Sequence, residues 1–222
     1  VHIFAPLALV ARTVDAAMLI DITPPITPRL AVFPGDTPLS QEVLLEISKG
    51  DTVTLSTMRA TVHLGAHADA PNHYGDGAES IEMRPLERYI GPCQVIRLSP
   101  PRGHRIGVEE IIDDITQPRV LFRTGTFLDP NRWDGEFAAF APELIDHLAS
   151  KGVVLIGIDT PSVDVADSKD LPTHKRILHH DMAILEGLVL EHVDAGVYEL
   201  IALPLPLVGF DASPVRAVLR RM

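Results

Sequence analysis

The sequence predicts an α/β domain in which a mixed β-sheet has helices packed around it. Three observations carry this expectation. Short runs rich in Val, Ile, Leu and Thr outnumber segments of helical period. Only some of those runs are separated by helical segments, which disfavours strict βαβ alternation. The 222 residues contain no internal repeat and no low-complexity tract, so one substantial domain is expected, from residue 18 to 222.

Taken in order, Met18-Leu19-Ile20-Asp21-Ile22 reads as a short strand stopped by Pro24-Pro25. Val32 to Pro38 is a Pro/Gly loop that carries Phe33, the kind of segment that lines a pocket. Thr52 to His63 is rich in Thr and Val at a period near two, which predicts a strand delivering His63 at its end. Gln94 to Leu98 is a further strand after the turn at Gly91-Pro92, Val108 to Ile115 suits a short helix, and Arg119 to Arg123 suits a buried strand.

In the second half, Pro142 to Ser150 predicts a helix with proline in its first turn, closing before Gly152. Val153 to Asp159 is an apolar strand, and Thr173 is placed to cap a helix from His174 to about Ala183. Leu188 to Leu190 and Tyr198 to Leu203 read as strands. Asp211 to Pro214 is expected to open a last helix, Val215 to Arg220. Residues 1–17 read as an N-terminal extension or alternative start, because no Lys or Arg precedes their apolar stretch as a secretory signal requires.

Composition excludes several functions. A net charge of −11 argues against wrapping nucleic acid or lying on an anionic membrane, both of which need basic patches. No run of about 18 apolar residues is present to span a bilayer. The single cysteine, Cys93, rules out an internal disulfide and a thiolate-rich metal site, and implies a reducing compartment, the cytoplasm. Cys93 itself reads as a small buried apolar residue. No Gly-x-Ser-x-Gly elbow supports serine-based hydrolysis.

The chemistry concentrates in His63-Leu64-Gly65-Ala66-His67-Ala68-Asp69-Ala70-Pro71-Asn72-His73. Imidazole and carboxylate form a nitrogen/oxygen set suited to zinc or a similar divalent ion. Small residues between them let the backbone approach an ion, and Pro71 forbids one unbroken helix, so the segment reads as a strand running into a metal-binding turn. His63 and His67 are spaced for a helical turn, His67 and Asp69 for a strand. A bend at Gly65 reconciles the two by turning His67 and Asp69 back toward His63. A two-His, one-Asp set leaves coordination open, as catalytic sites do. Further ligands must come from elsewhere, and spacing does not choose among His174, His179, His180, Glu186, Glu191 and His192. Asp159 and Asp164 receive no role from their local sequence.

This segment resembles the H-x-G-[TA]-H-x-D-x-P-x-H signature of the metal-dependent cyclase family, which includes bacterial kynurenine formamidases and isatin hydrolases. Asp21 to Pro25, Phe33 to Pro38, Gly91 to Cys93, Gly157 to Asp164, Glu199 to Leu205 and Asp211 to Ala217 resemble the kynurenine formamidase branch. The resemblance implies a swivelling β/β/α domain, homodimers or larger assemblies, and two zinc ions per chain, with manganese or another divalent ion sharing the same ligands. It implies His63, His67 and Asp69 as ligands with Asp69 bridging, and His174 and Glu186, twelve apart, as the remaining pair. His73 matches the proton-transferring residue, and His179 and His180 become surface or outer residues. Phe33 stands where Trp is common and is expected to stack on an aryl ring of the substrate. The implied activity is hydrolysis of N-formyl-L-kynurenine, an aryl formamide. The alternatives are a lactam opening of the isatin hydrolase kind, or a metal-binding module without catalysis.

Overall fold

The apolar run Arg119–Arg123 is a strand at the centre of a nine-stranded sheet, and every other element is placed by what packs beside it. The computed structural model describes residues 19–222, so the expectations for residues 1–17 and for Met18 lie outside the described residues. In chain order the strands are β1 (Leu19–Asp21), β2 (Ser40–Leu45), β3 (Leu55–Arg59), β4 (His67–Asp69), β5 (Ile90–Arg97), β6 (Arg105–Ile106) and β7 (Arg119–Arg123). They continue as β8 (Ala139–Phe140), β9 (Leu155–Ile158), β10 (Ala183–Glu186), β11 (Gly196–Ile201), β12 (Ala212–Pro214) and β13 (Val218–Arg221). Two α-helices are described, α1 (Pro142–Ser150) and α2 (Pro172–His179).

The large sheet runs β1-β13-β11-β5-β7-β9-β10-β4-β12. Its middle, β5 through β10, is parallel and its flanks are antiparallel, so the mixed α/β sheet is as expected. The parallel strands are near-continuous apolar runs because both their faces are buried. Val120 and Phe122 of β7 face one core with Ile156 of β9 and Ile184 of β10, while Leu121, Leu155 and Leu185 face the other. The first core takes Leu144, Ile145 and Leu148 from α1 and Ile177 from α2, so both helices cover the same face. Cys93 is fully buried in the second core, and burial pushes its thiol up to about 12, the inert residue the sequence suggested.

Several boundaries differ from expectation. The strand predicted to reach His63 stops at Arg59, and Thr61 Oγ1 accepts a hydrogen bond from the His63 amide, turning the chain before the histidine. Turn therefore precedes strand: His63 lies in the turn, and His67 and Asp69 lie in β4. Val108 to Ile115 forms only a 3₁₀ turn at Val108–Glu110. Leu188 to Leu190 is not a strand; the strand precedes it as β10. The helix α2 begins at Pro172, and the Thr173 hydroxyl donates to the Phe140 carbonyl instead of capping. No helix forms over Val215 to Arg220: from Val218 the chain is β13, because pairing with both β1 and β11 satisfies that backbone.

Candidate metal centre and active site

Strand pairing builds one wall of the site. His67 and Asp69 share a face of β4 through the period of two, and β10 pairs antiparallel with β4 so that Glu186 lies directly opposite His67. Gly65, at φ +60°, makes the bend that returns this strand toward His63, as the spacing required. His174 enters from the first turn of α2, just after Leu171, which holds a left-handed φ of +45°. His73 closes the 3₁₀ turn Pro71–His73.

These side chains converge. His63 Nδ1 lies 3.0 Å from Asp69 Oδ1, and His67 Nε2 lies 3.4 Å from Asp69 Oδ1 and 3.3 Å from Glu186 Oε2. His174 Nε2 lies 3.5 Å from Asp69 Oδ2 and 3.6 Å from Glu186 Oε1. The Asp69 carboxylate, 1% exposed, forms no hydrogen bond at either oxygen, and His67 Nε2 forms none. Buried polar atoms without partners carry a large penalty. Nitrogens and oxygens that crowd a common centre without bonding each other are arranged for a cation, and this donor set is that of a divalent metal.

The outer nitrogen of each buried histidine is held separately. His67 Nδ1 lies 2.9 Å from the Gly65 carbonyl, His174 Nδ1 2.8 Å from Asp164 Oδ2, and His63 Nε2 3.0 Å from Asp211 Oδ2. Such partners fix ring orientation and aim the other nitrogen at an ion. Neither Asp164 nor Asp211 carried a role in the sequence, since their partners are 10 and 148 residues away. Asp164 also accepts the Thr173 and His174 amides and pairs with Arg105, and its carboxyl is held at about 2 by these bonds against burial. Asp159 instead caps a loop: it accepts bonds from the Thr124 amide and hydroxyl and the Gly125 amide.

Charge complementarity is strong. Burial alone would lower the pKa of His63 and His174, but the surrounding carboxylates outweigh it and raise both to about 10. Burial would raise Asp69, yet His174, His63 and His67 hold it well below the ordinary carboxylate range.

A cavity of about 660 Å³ opens over these residues. His73 is one-third exposed at its edge, with its ring centroid 4.3 Å from that of His63 and Nδ1 3.4 Å from Asp211 Oδ2. A ring nitrogen of His73 also lies within 4.8 Å of one of His63 and of an Asp69 carboxylate oxygen. Phe33 lines the cavity, 39% exposed and edge-on to Trp133 at 4.7 Å, so it is a pocket wall and not core packing. Trp133, which the sequence did not single out, forms the wall with it. His179 is the last residue of α2 and exposed, and His180 caps its C-terminal end and bonds Asp146, both away from the cluster.

The family model described as "Putative cyclase" matches residues 20–165. The chain belongs to the cyclase family. A kynurenine formamidase from Bordetella petrii is 48% identical over 204 residues, covering 91% of this chain and 97% of that one. Among solved structures of the cyclase fold, a "potential metal-dependent hydrolase with cyclase activity" superposes with a TM-score of 0.80 at 30% identity, covering 91% of this chain and 96% of that one. A "predicted metal-dependent hydrolase" from Bacillus stearothermophilus gives 0.77 at 31%, covering 91% and 97%. An isatin hydrolase bound to thioisatinate shares the fold at 0.77 and 23% identity, covering 90% and 91%.

Proposed function

We propose that this chain is a metal-dependent arylformamidase that hydrolyses N-formyl-L-kynurenine to L-kynurenine and formate. The observation that carries the reading is the Asp69 carboxylate, buried without hydrogen bonds behind three imidazoles and Glu186 that line an aromatic-walled cavity. The 48% identity with a kynurenine formamidase along nearly the whole chain supports the choice of substrate.

His63, His67, Asp69, His174 and Glu186 would hold two zinc ions; manganese fits the same donors. Ions bound there lower the pKa of water toward neutrality and polarise a carbonyl. Phe33 and Trp133 stack on the aryl ring and fix the formamide over the carboxylate cluster. An arylamine leaves poorly as an anion, so its nitrogen must gain a proton as the C–N bond breaks. His73 takes the proton from the attacking water and returns it to that nitrogen, with Asp211 holding its Nδ1 side. Such acid–base help is worth about a hundred- to ten-thousand-fold. The open cavity argues against a site that serves folding alone, since structural sites are closed.

We read the protein as a cytoplasmic homodimer. The ribbon β2–β3 is exposed along its length, including Val43 at 48% and Met58 at 67%, and a lone two-stranded ribbon is marginally stable in water. A second copy of the chain covering it accounts for both facts.

The test is turnover of N-formylkynurenine against isatin by zinc-loaded protein. Formate and kynurenine released in equal amounts, with isatin turned over far more slowly, supports the reading; preference for isatin replaces it with lactam opening.

A further inference from the structure

The main cavity lacks a group its proposed substrate requires. N-formylkynurenine carries an α-amino acid end, with a carboxylate and an ammonium. Among the described residues no Lys or Arg lines the cavity, and Asp36, Asp159, Glu186, Glu191 and Asp211 do. A substrate carboxylate left in the cavity would meet no cationic side chain to replace its water.

Beyond Phe33 and Trp133 the cavity wall continues into a second groove. The two share Phe33, Pro34, Trp133, Val165 and Ala166. This groove holds a cation, Arg105, and on its rim two acids, Asp167 and Glu136. Arg105 is placed by the β6–β8 pairing and by one bond from Nη1 to Asp164 Oδ1, 3.2 Å long. Its side chain is 35% exposed. A guanidinium has five donors in a planar fork, so Nη2 and Nε remain to receive a carboxylate edge-on. Glu136 is engaged near Arg102, which leaves Asp167, exposed and lining the same groove as Arg105, as the anion that meets an ammonium.

We propose that this groove is the amino-acid subsite: Arg105 binds the substrate carboxylate and Asp167 its ammonium, while the aryl ring lies against the wall that Phe33 and Trp133 form together. The proposal rests on the formamidase reading for the identity of the substrate, and makes Arg105 a specificity determinant for it. Because Arg105 also touches Asp164, which orients His174, removing it lowers turnover of every substrate to some degree. Discrimination between substrates isolates the subsite from that shared effect.

The experiment compares N-formyl-L-kynurenine with 2-formamidoacetophenone, which has the same formamide and ring but no amino-acid end. Arg105→Gln is expected to reduce the ratio of kcat/KM for the first over the second about tenfold or more, the scale of a charged hydrogen bond. Arg105→Lys restores part of that ratio, and Asp167→Asn gives a smaller loss. A ratio unchanged in Arg105→Gln overturns the proposal and leaves Arg105 acting through Asp164 alone. Binding gives a readout independent of turnover, because Trp133 is the only tryptophan of the chain and lines the shared wall. Quenching of its fluorescence should show L-kynurenine binding more tightly than 2-aminoacetophenone in the wild type, with the difference lost in Arg105→Gln. Equal affinities in the wild type overturn the subsite even if both formamides are hydrolysed. Failure of wild-type protein to hydrolyse either formamide overturns the proposed reaction and, with it, the identity of this ligand.

Discussion

The carbonyl oxygen of Gly65 occupies the space that a side chain on Gly187 would need: a Cβ built on Gly187 falls 2.2 Å from that oxygen. Gly187 directly follows Glu186 and holds a φ of +65°, while Gly65 bends the chain between His63 and His67. Just beyond the paired residues of β4 and β10, the two backbone segments that carry this wall of the site therefore meet through glycine.

Gly187→Ala should accordingly separate those segments. The left-handed φ costs a non-glycine residue about 1 kcal/mol, and a backbone clash adds to it, so a loss of about 2–4 kcal/mol is expected. Urea denaturation of metal-free and zinc-loaded protein checks this. A larger loss in the loaded form shows that the glycine contact serves the site as well as the fold.

Asp164→Asn tests the outer support of His174. Asparagine keeps an acceptor for a backbone amide but lacks the charge that holds the ring through Nδ1. Metal affinity should fall about 10- to 100-fold, with the fold intact by circular dichroism. Competition against a chelator of known affinity measures it. Unchanged affinity would make Asp164 a helix-anchoring residue only.

Metal binding should release protons. In the metal-free protein His63 and His174 are raised from 6.5 to about 10, so both carry a proton at neutral pH. Their stabilising contribution is complete below about pH 6.5 and is lost as pH rises through about 10. Ligation requires the neutral ring, so apparent affinity should rise with pH, by up to about a hundredfold per unit for two protons. Calorimetry in buffers of different ionisation enthalpy counts them, and a heat independent of buffer would contradict the assignment. The melting temperature of metal-free protein should decline from pH 8 to 10.5, and that of loaded protein should not follow it.

His73→Ala should reduce kcat for N-formylkynurenine about a hundred- to ten-thousand-fold while the protein retains its metal. Loss of metal in step with activity would instead place His73 among the ligands, as its distance from His63 and Asp69 permits.

Much of this site was legible in the sequence because several of its donor side chains are local. His63, His67 and Asp69 lie within seven residues, and Gly65 supplies the bend. The resemblance selected His174 and Glu186, and the β4–β10 register sets Glu186 opposite His67. What escaped is what acts across distance. Asp211 reaches His63 over 148 residues, and Trp133 meets Phe33 only after the chain has crossed the sheet. Short elements erred for a related reason. Val215 to Arg220 has too few residues for its period to distinguish helix from strand, and pairing with β1 and β11 decides it. The helix Pro142–Ser150 has its own proline start and apolar stripe, and forms over those same residues.

The most direct test titrates zinc into metal-free protein while following hydrolysis of N-formylkynurenine. Activity should rise from near zero to a plateau at two equivalents per chain. Full activity without added metal in chelated protein, or no turnover at two equivalents, would contradict the two-metal formamidase.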